Sequence, residues 1–552
     1  MNLKQGLQVN KTGAELVVDC LEELGVEYVF CLPGASIDPI LNVLKDRGPK
    51  VILCRHEQNA VFAALGYAKL TQKPGIVLVT AGPGATNIVT GMATAFSERN
   101  PVIAITGQVV QRIKFKHSHQ NIDAKALFKP ITKWSEELDS VEIIPQVLAN
   151  AFQIAMTPKA GPVHIAIPYN LLNEKTLEKP IPYKEFSYFR SLSEEIDAVA
   201  KEIESSEKPL VLLGNGANSS RYSLAICDFL KKCQMPVAGT FEAAGAIAKE
   251  LVYLFMGRLG VFKNQPGDRV LDLADLIITI GFDPVEYDPV IWNKRNTKII
   301  HIDLTPPILD SAYQPIFQLV GDIEANLFEL AKRLKKKDYY SYRKEVVLAH
   351  EILEERMQSG KMIESFPLHP LKVIYETKKY LSEKTTVISD VGSHQYFWAR
   401  YFFCFKPKYF ITSMGFQTMG VSLPFAIAAA LVRPDEKVFS ISGDGSFLMC
   451  SMALETIKRY NLPIIHMVWE DNSYNLVKIQ QEKKYLRSFA VDFGPIDTVS
   501  YAKSIGIAAY KVHSFEAFED VLRKAFDQEG PCVISIPIDY HENFNIIETL
   551  SE

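Results

Sequence analysis

Two carboxylates in the C-terminal third of the chain are spaced for metal chemistry. Between Val438 and Asn475 the sequence reads VFSISGDGSFLMCSMALETIKRYNLPIIHMVWEDNSYN, with Asp444 between two glycines and Asp471, 27 positions on, followed by Asn472. Each aspartate comes just past a short apolar run, Lys437–Ser442 and Ile464–Trp469. Between the runs, Phe447, Leu448, Cys450, Met452, Leu454 and Ile457 predict one mostly buried helix of about four turns. Strand, helix and strand in so short a span make a βαβ unit with parallel strands. Parallel neighbours end at the same sheet edge, so the two carboxylates are delivered side by side. A hard cation such as Mg2+ takes carboxylate, carbonyl and phosphate oxygens. The turn at Gly443 and Gly445 opens onto a helix N-terminus, whose free N–H groups favour an anion. Each motif alone is also an ordinary turn; the pair at one edge points to a phosphorylated ligand held through a divalent cation.

A third carboxylate is Glu57. The strand Val51–Cys54 runs into Arg55-His56-Glu57-Gln58 and a helix through Leu70. That puts Glu57 at the C-terminal edge of a sheet, where open α/β folds place ligands. A glutamate there also complements the helix dipole with no ligand at all.

The elements that must position these groups recur along the chain. Residues 1–170 alternate helix and strand, with helices at Ala14–Leu24 and Ile40–Leu44, the latter with Asp38 and Pro39 suited to its cap and first position. Strands are read at Tyr28–Leu32, Ile76–Thr80, Pro101–Thr106 and His164–Ile167. The alternation predicts an open parallel sheet with helices on both faces. The Gly82-Pro83-Gly84-Ala85-Thr86-Asn87 turn lacks the third glycine of a dinucleotide loop and reads as a helix opening with Thr86 near the cap. Residues 171–192 are charged and proline-bearing, a linker. Leu210–Leu213, Pro236–Ala238, Leu276–Ile280 and Ile299–Ile302 describe a second, smaller parallel sheet, with another incomplete glycine loop at Gly214-Asn215-Gly216. Lys332–Ser365 is a helical connector whose charges form a solvated face. A third α/β domain holds both aspartates. The fold class is α/β, three doubly wound parallel-sheet domains with boundaries drawn at residues 1–175, 190–340 and 366–552.

Composition narrows the function. With 60 basic and 64 acidic residues in 552, the net charge is −4, so no global field recruits nucleic acid or an acidic membrane. A diphosphate ligand therefore needs local devices. The N-terminal MNLKQGLQVNKTG has no apolar core for a signal peptide, and no apolar run approaches the ~20 residues of a membrane span. Eight cysteines scatter without CxxC spacing, which suits reduced thiols in a cytoplasmic protein.

Gly443-Asp444-Gly445 followed by Asp471-Asn472 resembles the metal and diphosphate motif of thiamine diphosphate (ThDP) enzymes. The resemblance extends along essentially the whole chain to their acetolactate synthase branch, and SMGFQTMGVSLPFAIAAAL, GRLGVFKNQPGD and GFDPVEYDPVIWN carry it most specifically. The last two are similar to the catabolic, FAD-independent type. The resemblance implies Mg2+ on Asp444, Asp471 and the carbonyl of Ser473, with Gly443, Gly445, Ser446 and Tyr474 in the same cofactor-binding stretch. It implies diphosphate contacts from Gly392, Ser393 and His394, Met419 propping the coenzyme in a bent shape, and Thr80 and Asn87 along its pyrimidine side. RHEQNA matches the motif whose glutamate, here Glu57, hydrogen-bonds N1′ of the aminopyrimidine. That role needs a carboxyl group able to share a proton, which a dry, apolar setting favours.

Gln120 is implied to reach the reacting carbon, and Gln417 counts among both catalytic and coenzyme-binding groups. Gln480 stands where biosynthetic relatives have a Trp that favours 2-oxobutyrate, consistent with pyruvate as donor and acceptor. Ser36 stands where catabolic relatives usually carry Lys, so a neutral hydrogen bond replaces a cation at the substrate unless Arg112, Lys114 or Lys116 supplies one. No functional FAD is expected, since no RFDDR-type sequence follows Ile280-Gly281. The implied reaction condenses two pyruvates to 2-acetolactate and CO2 through a hydroxyethyl carbanion on the coenzyme, as in acetoin and butanediol formation. The implied assembly is a homodimer or a dimer of dimers (a homotetramer) with active sites at the subunit interface. A ThDP-dependent 2-oxo acid decarboxylase or oxidase is a rival reading, against which His117 and His119 are separated rather than paired. A non-catalytic scaffold is another, against which Glu57, Asp444 and Asp471 are intact.

Overall fold

The computed structural model describes residues 10–335 and 343–547. Most of the N-terminal stretch read for a signal peptide, and residues 336–342 of the charged connector, lie outside the described residues. Contacts divide the chain into two units: residues 1–186 with 427–432 and 452–460, and the remainder.

In the first unit, β1 (Tyr28–Leu32), β2 (Lys50–Leu53), β3 (Gly75–Val79), β4 (Val102–Gln108), β5 (Trp134–Glu137) and β6 (Val163–Pro168) form one parallel sheet in the order β2-β1-β3-β4-β6-β5. Its central strands are unbroken apolar runs such as Ile76–Val79, buried because helices cover both faces. The edge strand β5, of sequence WSEE, buries only Ser135 fully, which is why no apolar pattern announces it. The helix Gly13–Glu23 sends Leu16, Val17, Cys20 and Leu21 into the core. A capping box fixes its start: Thr12 Oγ1 accepts the Glu15 N–H at 3.2 Å, and the Glu15 carboxylate accepts the Thr12 N–H at 2.6 Å. Two helices open at the sheet's C-terminal edge and carry candidate site residues, α1 (Glu57–Thr71) and α2 (Pro83–Asn87). Thr86 lies inside α2 rather than at its cap, which is Gly82. Residues 177–192 are without regular structure, but the expected linker begins with a helix, Tyr169–Asn173, whose leucines are buried.

The second unit holds two sheets. The central one contains β7 (Pro209–Leu213), β8 (Val237–Thr240), β9 (Phe255–Leu259), β10 (Leu276–Ile280), β11 (Lys298–Asp303) and β12 (Phe317–Val320), ordered β9-β8-β7-β10-β11-β12. The expectation of a smaller sheet is corrected: β9 and β12 add an edge each, giving six strands as in the other sheets. Gly257 and Arg258 in one and Gln318 in the other interrupt the apolar runs that mark the inner strands. The charged connector is likewise not all solvated. Its helix, Arg343–Met362, buries Ala349 and Leu353, the latter against Gly257 of β9.

The C-terminal sheet contains β13 (Thr386–Ser389), β14 (Phe410–Ile411), β15 (Val438–Gly443), β16 (Ile464–Glu470), β17 (Ala508–Lys511) and β18 (Cys532–Pro537), ordered β14-β13-β15-β16-β18-β17 and parallel throughout. Helix α3 (Ser393–Tyr401) follows β13. The single long helix expected between β15 and β16 is two, α4 (Asp444–Cys450) and α5 (Ala453–Arg459), broken at Ser451-Met452. Residues 452–460 fold with the first unit. There Thr456 Oγ1 donates to the Leu53 carbonyl at 3.0 Å and Tyr460 Oη accepts the Leu53 N–H at 3.0 Å. Leu448 and Met452, expected inside, are 48% and 40% exposed. Helix α6 (Asn475–Tyr485) follows β16. Among the described residues no helix is long and apolar enough to cross a membrane.

Candidate active site

β15 and β16 pair in register from Val438–Ile464 to Gly443–Trp469, so Asp444 and Asp471 emerge together at one edge. Asp444 organises both turns. Its Oδ1 accepts the Gly445 N–H at 2.8 Å, and its Oδ2 accepts the N–H groups of Asp471 at 3.1 Å and Asn472 at 2.7 Å. Those bonds hold Asn472 at a φ of 56°, a left-handed conformation that Asn tolerates better than most residues. Ser473 Oγ donates to Asp471 Oδ2 at 2.6 Å. Burial and the neighbouring charge of Asp471 push the Asp444 carboxyl up to about 6. Burial also raises Asp471. A buried carboxylate beside a half-buried one is an arrangement short of a cation.

These aspartates line a cavity of about 280 Å³. Every C-terminal residue expected at the site lines it: Gly392, Ser393 and His394 after β13; Gln417 and Met419; Gly443 to Ser446 after β15; Asp471, Ser473 and Tyr474 after β16; and Gln480 on α6. Gly392 has a φ of 150°, which L side chains rarely adopt, and a Cβ there would lie 2.8 Å from the His394 ring. A side chain at Gly445 would meet the Tyr474 ring at 2.7 Å. Ser446 Oγ donates to the Val391 carbonyl at 3.2 Å, tying the start of α4 to the loop after β13.

Five further lining residues lie outside the expected set: Val391, Asn475, Leu476, Val477 and Tyr540. Tyr540 is within reach of sequence reasoning. β18 runs parallel to β16, with Pro537 beside Glu470, so whatever comes after Pro537 reaches the same edge as Asp471. Burial and the charges of Asp471 and Asp444 keep its phenol protonated.

The residues present fit a diphosphate–metal group. His394 is buried, its Nε2 has no hydrogen-bond partner, and burial lowers it to about 3. The N-termini of α3 and α6 both open onto the cavity through Ser393 and Asn475, and helix N-termini favour anions. Among the described residues no cluster of three or more His, Cys, Asp or Glu could hold a metal alone. The two aspartates would need carbonyl and phosphate oxygens to complete a hard cation's shell.

In the first unit the strand ends gather a different set. Glu57, 6% exposed, opens α1 just past β2, and Asn87 Nδ2 at the end of α2 donates to its Oε2 at 2.9 Å. Ser36, expected to offer substrate a hydrogen bond, spends its hydroxyl within the fold. It lies 2.8 Å from Thr80 Oγ1 and accepts the Ala81 N–H at 2.9 Å, in space left by the missing side chain of Gly107. Gln120 packs on the turn after β3, its Cα 3.0 Å from where a Gly82 Cβ would stand. Of the alternative cations, Lys114 is paired with Glu137 at 2.7 Å.

The central glycine turn is already filled. Asn215 N–H donates to both oxygens of the buried Glu286 carboxylate, at 3.1 and 2.9 Å, and Asp283 N–H donates to it at 3.1 Å. Burial and the charge of Glu242 raise Glu286 to about 8. Gly216 N–H donates to the Gly281 carbonyl at 2.8 Å.

Comparison with known proteins agrees with this geometry. The N-terminal TPP binding domain of thiamine pyrophosphate enzymes matches residues 11–127, their central domain residues 196–330, and their C-terminal TPP binding domain residues 390–536. Acetolactate synthase of Bacillus subtilis (strain 168) is 42% identical over 544 residues, covering 98% of this chain and 95% of that protein. The catabolic acetolactate synthase of Raoultella terrigena is 39% identical over 537 residues, 96% of each chain. The large subunit of acetolactate synthase isozyme 2 of Escherichia coli (strain K12) is 31% identical over 554 residues, again 96% of each. The chain belongs to the acetolactate synthase family of thiamine pyrophosphate enzymes.

Proposed function

We propose that the protein condenses two molecules of pyruvate to 2-acetolactate with release of CO2, using ThDP and Mg2+. The observation that carries this reading is the pair of aspartates, Asp444 buried and Asp471 half-buried, at neighbouring parallel strand ends, in a cavity where His394 Nε2 lacks a partner. Asp444, Asp471 and the Ser473 carbonyl would hold the cation; Gly392, Ser393 and His394 would receive the diphosphate. Met419, with Leu476 and Val477, gives the cavity apolar walls. Bound coenzyme supplies the electron sink that lets a 2-oxo acid lose CO2 and couple to a second carbonyl. Glu57, buried and held by Asn87, would hydrogen-bond the aminopyrimidine and hold the shared proton, with Thr80 on the pyrimidine side. Gln120, Gln417 and Gln480 orient the two pyruvates, and Ser36 acts on them only through Thr80 and the Ala81 N–H.

The central domain takes no functional FAD on this reading, because Glu286 already consumes the N–H group of its glycine turn. The domain limits 1–175, 190–340 and 366–552 serve as pyrimidine, central and diphosphate domains. The exposed apolar side chains Leu448, Met449 and Val477 near the cavity support a homodimer or a dimer of dimers with interfacial active sites. Eight buried thiols support a reducing, cytoplasmic setting. The test is product analysis with pyruvate, ThDP and Mg2+, with and without FAD. Acetolactate independent of FAD is expected, and acetaldehyde as main product would replace the reading with simple decarboxylation.

A further inference from the structure

Asn543 lies beyond the last strand, in a turn where its backbone N–H donates to the Tyr540 carbonyl at 2.9 Å, and it is wholly buried. Its side-chain Nδ2 donates to Ser393 Oγ at 2.9 Å and to Asn475 Oδ1. Ser393 Oγ itself donates to Asn475 Oδ1 at 3.2 Å. Ser393 and Asn475 are the first residues of α3 and α6, two of the helices that open onto the cavity. On its other side, Asn475 faces the Asp471 carboxylate and favours its charged form. A side-chain amide has a direction: one end accepts, the other donates. With its oxygen engaged by Asn543 and Ser393, Asn475 must turn its N–H group to Asp471. Reversed, it would set an oxygen against a carboxylate and leave two buried donors unpaired.

We infer that Asn543 is a positioning residue of the coenzyme site, fixing the Asn475 amide and through it the Asp471 carboxylate, while clamping two anion-facing helix ends together. The inference rests on reading the cavity as the Mg2+–diphosphate site. It makes the segment after β18 part of that site, although none of its residues belongs to the motifs the sequence displays.

The test uses full-length wild type, Asn543→Ala, Asn543→Asp, Asn475→Ala and the double variant Asn543→Ala/Asn475→Ala. Each is titrated with Mn2+ in the presence of ThDP, followed by water-proton relaxation. Asn543→Ala should weaken Mn2+ binding by about ten-fold, the value of one hydrogen bond in a charged network. Asn543→Asp, equal in size but placing a carboxylate beside Asn475 Oδ1, should weaken it further. At saturating cofactor, kcat of the Asn543 variants should fall by less than their Mn2+ affinity does. The double variant should bind no worse than Asn475→Ala, because Asn543 acts through that residue. Wild-type affinity in both Asn543 variants, or fully additive losses in the double, overturns the inference. Should Asn543→Ala fail to fold, the isosteric Asn543→Asp decides alone. If wild type binds no Mn2+ with ThDP, it is the reading of the cavity that falls.

Discussion

The first and third sheets have the same topology and opposite chemistry. Numbered from one within each, their strands run 2-1-3-4-6-5, whereas the central sheet runs 3-2-1-4-5-6, the order of dinucleotide-binding folds. In the first sheet the turns after β1, β2 and β3 carry Ser36, Glu57, Thr80 and Asn87, and the buried carboxylate meets a neutral amide. In the third, the turns after β13, β15 and β16 carry His394, Asp444 and Asp471, and the buried Asp444 carboxylate meets that of Asp471. A shared strand order thus chooses where a ligand lies; the turn residues choose what it is. On the proposed function, one edge trades a proton and the other takes up a cation and an anion together.

Substitutions can break that division of labour. The largest effect is expected from Glu57→Gln, which should lower kcat by about 10²–10⁴ while ThDP–Mg2+ binding measured by calorimetry stays near wild type; lost binding with intact turnover would reverse the two roles. Asp444→Asn should do the opposite, weakening Mg2+ binding by about 100-fold or more, and chelation of the metal should abolish activity. In the native chain Asp444 sits at about 6 without a cation, so protons compete below that pH. Mg2+ affinity should fall about ten-fold for each pH unit below ~6.

A subtler comparison uses one buried histidine per sheet. His164 lies between Thr106 and Ser135 and stacks on Phe128, while His466 lies between Ser440 and Ser442 and stacks on Phe447. Burial holds both at about 3. Their unfolded value is about 6.5, so the unfolded chain binds protons first as pH falls. The stability they contribute is complete above pH ~6.5 and lost progressively toward pH ~3, at up to about 1.4 kcal/mol per pH unit for each ring. Acid-unfolding midpoints of His164→Leu and His466→Leu should both move to lower pH, relative to their stability at pH 8. Least of all, Asn87→Ala should cost about five-fold in kcat, one hydrogen bond to Glu57, with coenzyme affinity unchanged.

Much of the fold and of the candidate site was legible in residue order because strands buried on both faces are apolar runs and turn residues come directly after them. Strand ends and parallel pairing sufficed to set Asp444, Asp471 and Glu57 at sheet edges, while Ser473 came only with the family resemblance. What escaped depends on distant packing. The break at Ser451-Met452 escaped because an apolar pattern gives burial without saying which partner provides it, and α5 finds its partner in the first unit. Ser36 reads as a free hydroxyl until Gly107 and Thr80 close around it. Glu286 filling a glycine turn 71 positions away, and Asn543 reaching Ser393 150 positions away, leave no local signal.

The carboxylate of Asp444 already gathers the backbone of its own turn and of the one beside it, through Gly445, Asp471 and Asn472. If this is the cation site proposed above, an arriving ion meets a finished socket, and little freedom remains to be frozen on capture. Mixing the apoprotein with metal and coenzyme should accordingly give a single phase whose rate climbs in proportion to concentration. A rate that levels off would reveal a slow rearrangement this socket has no need of.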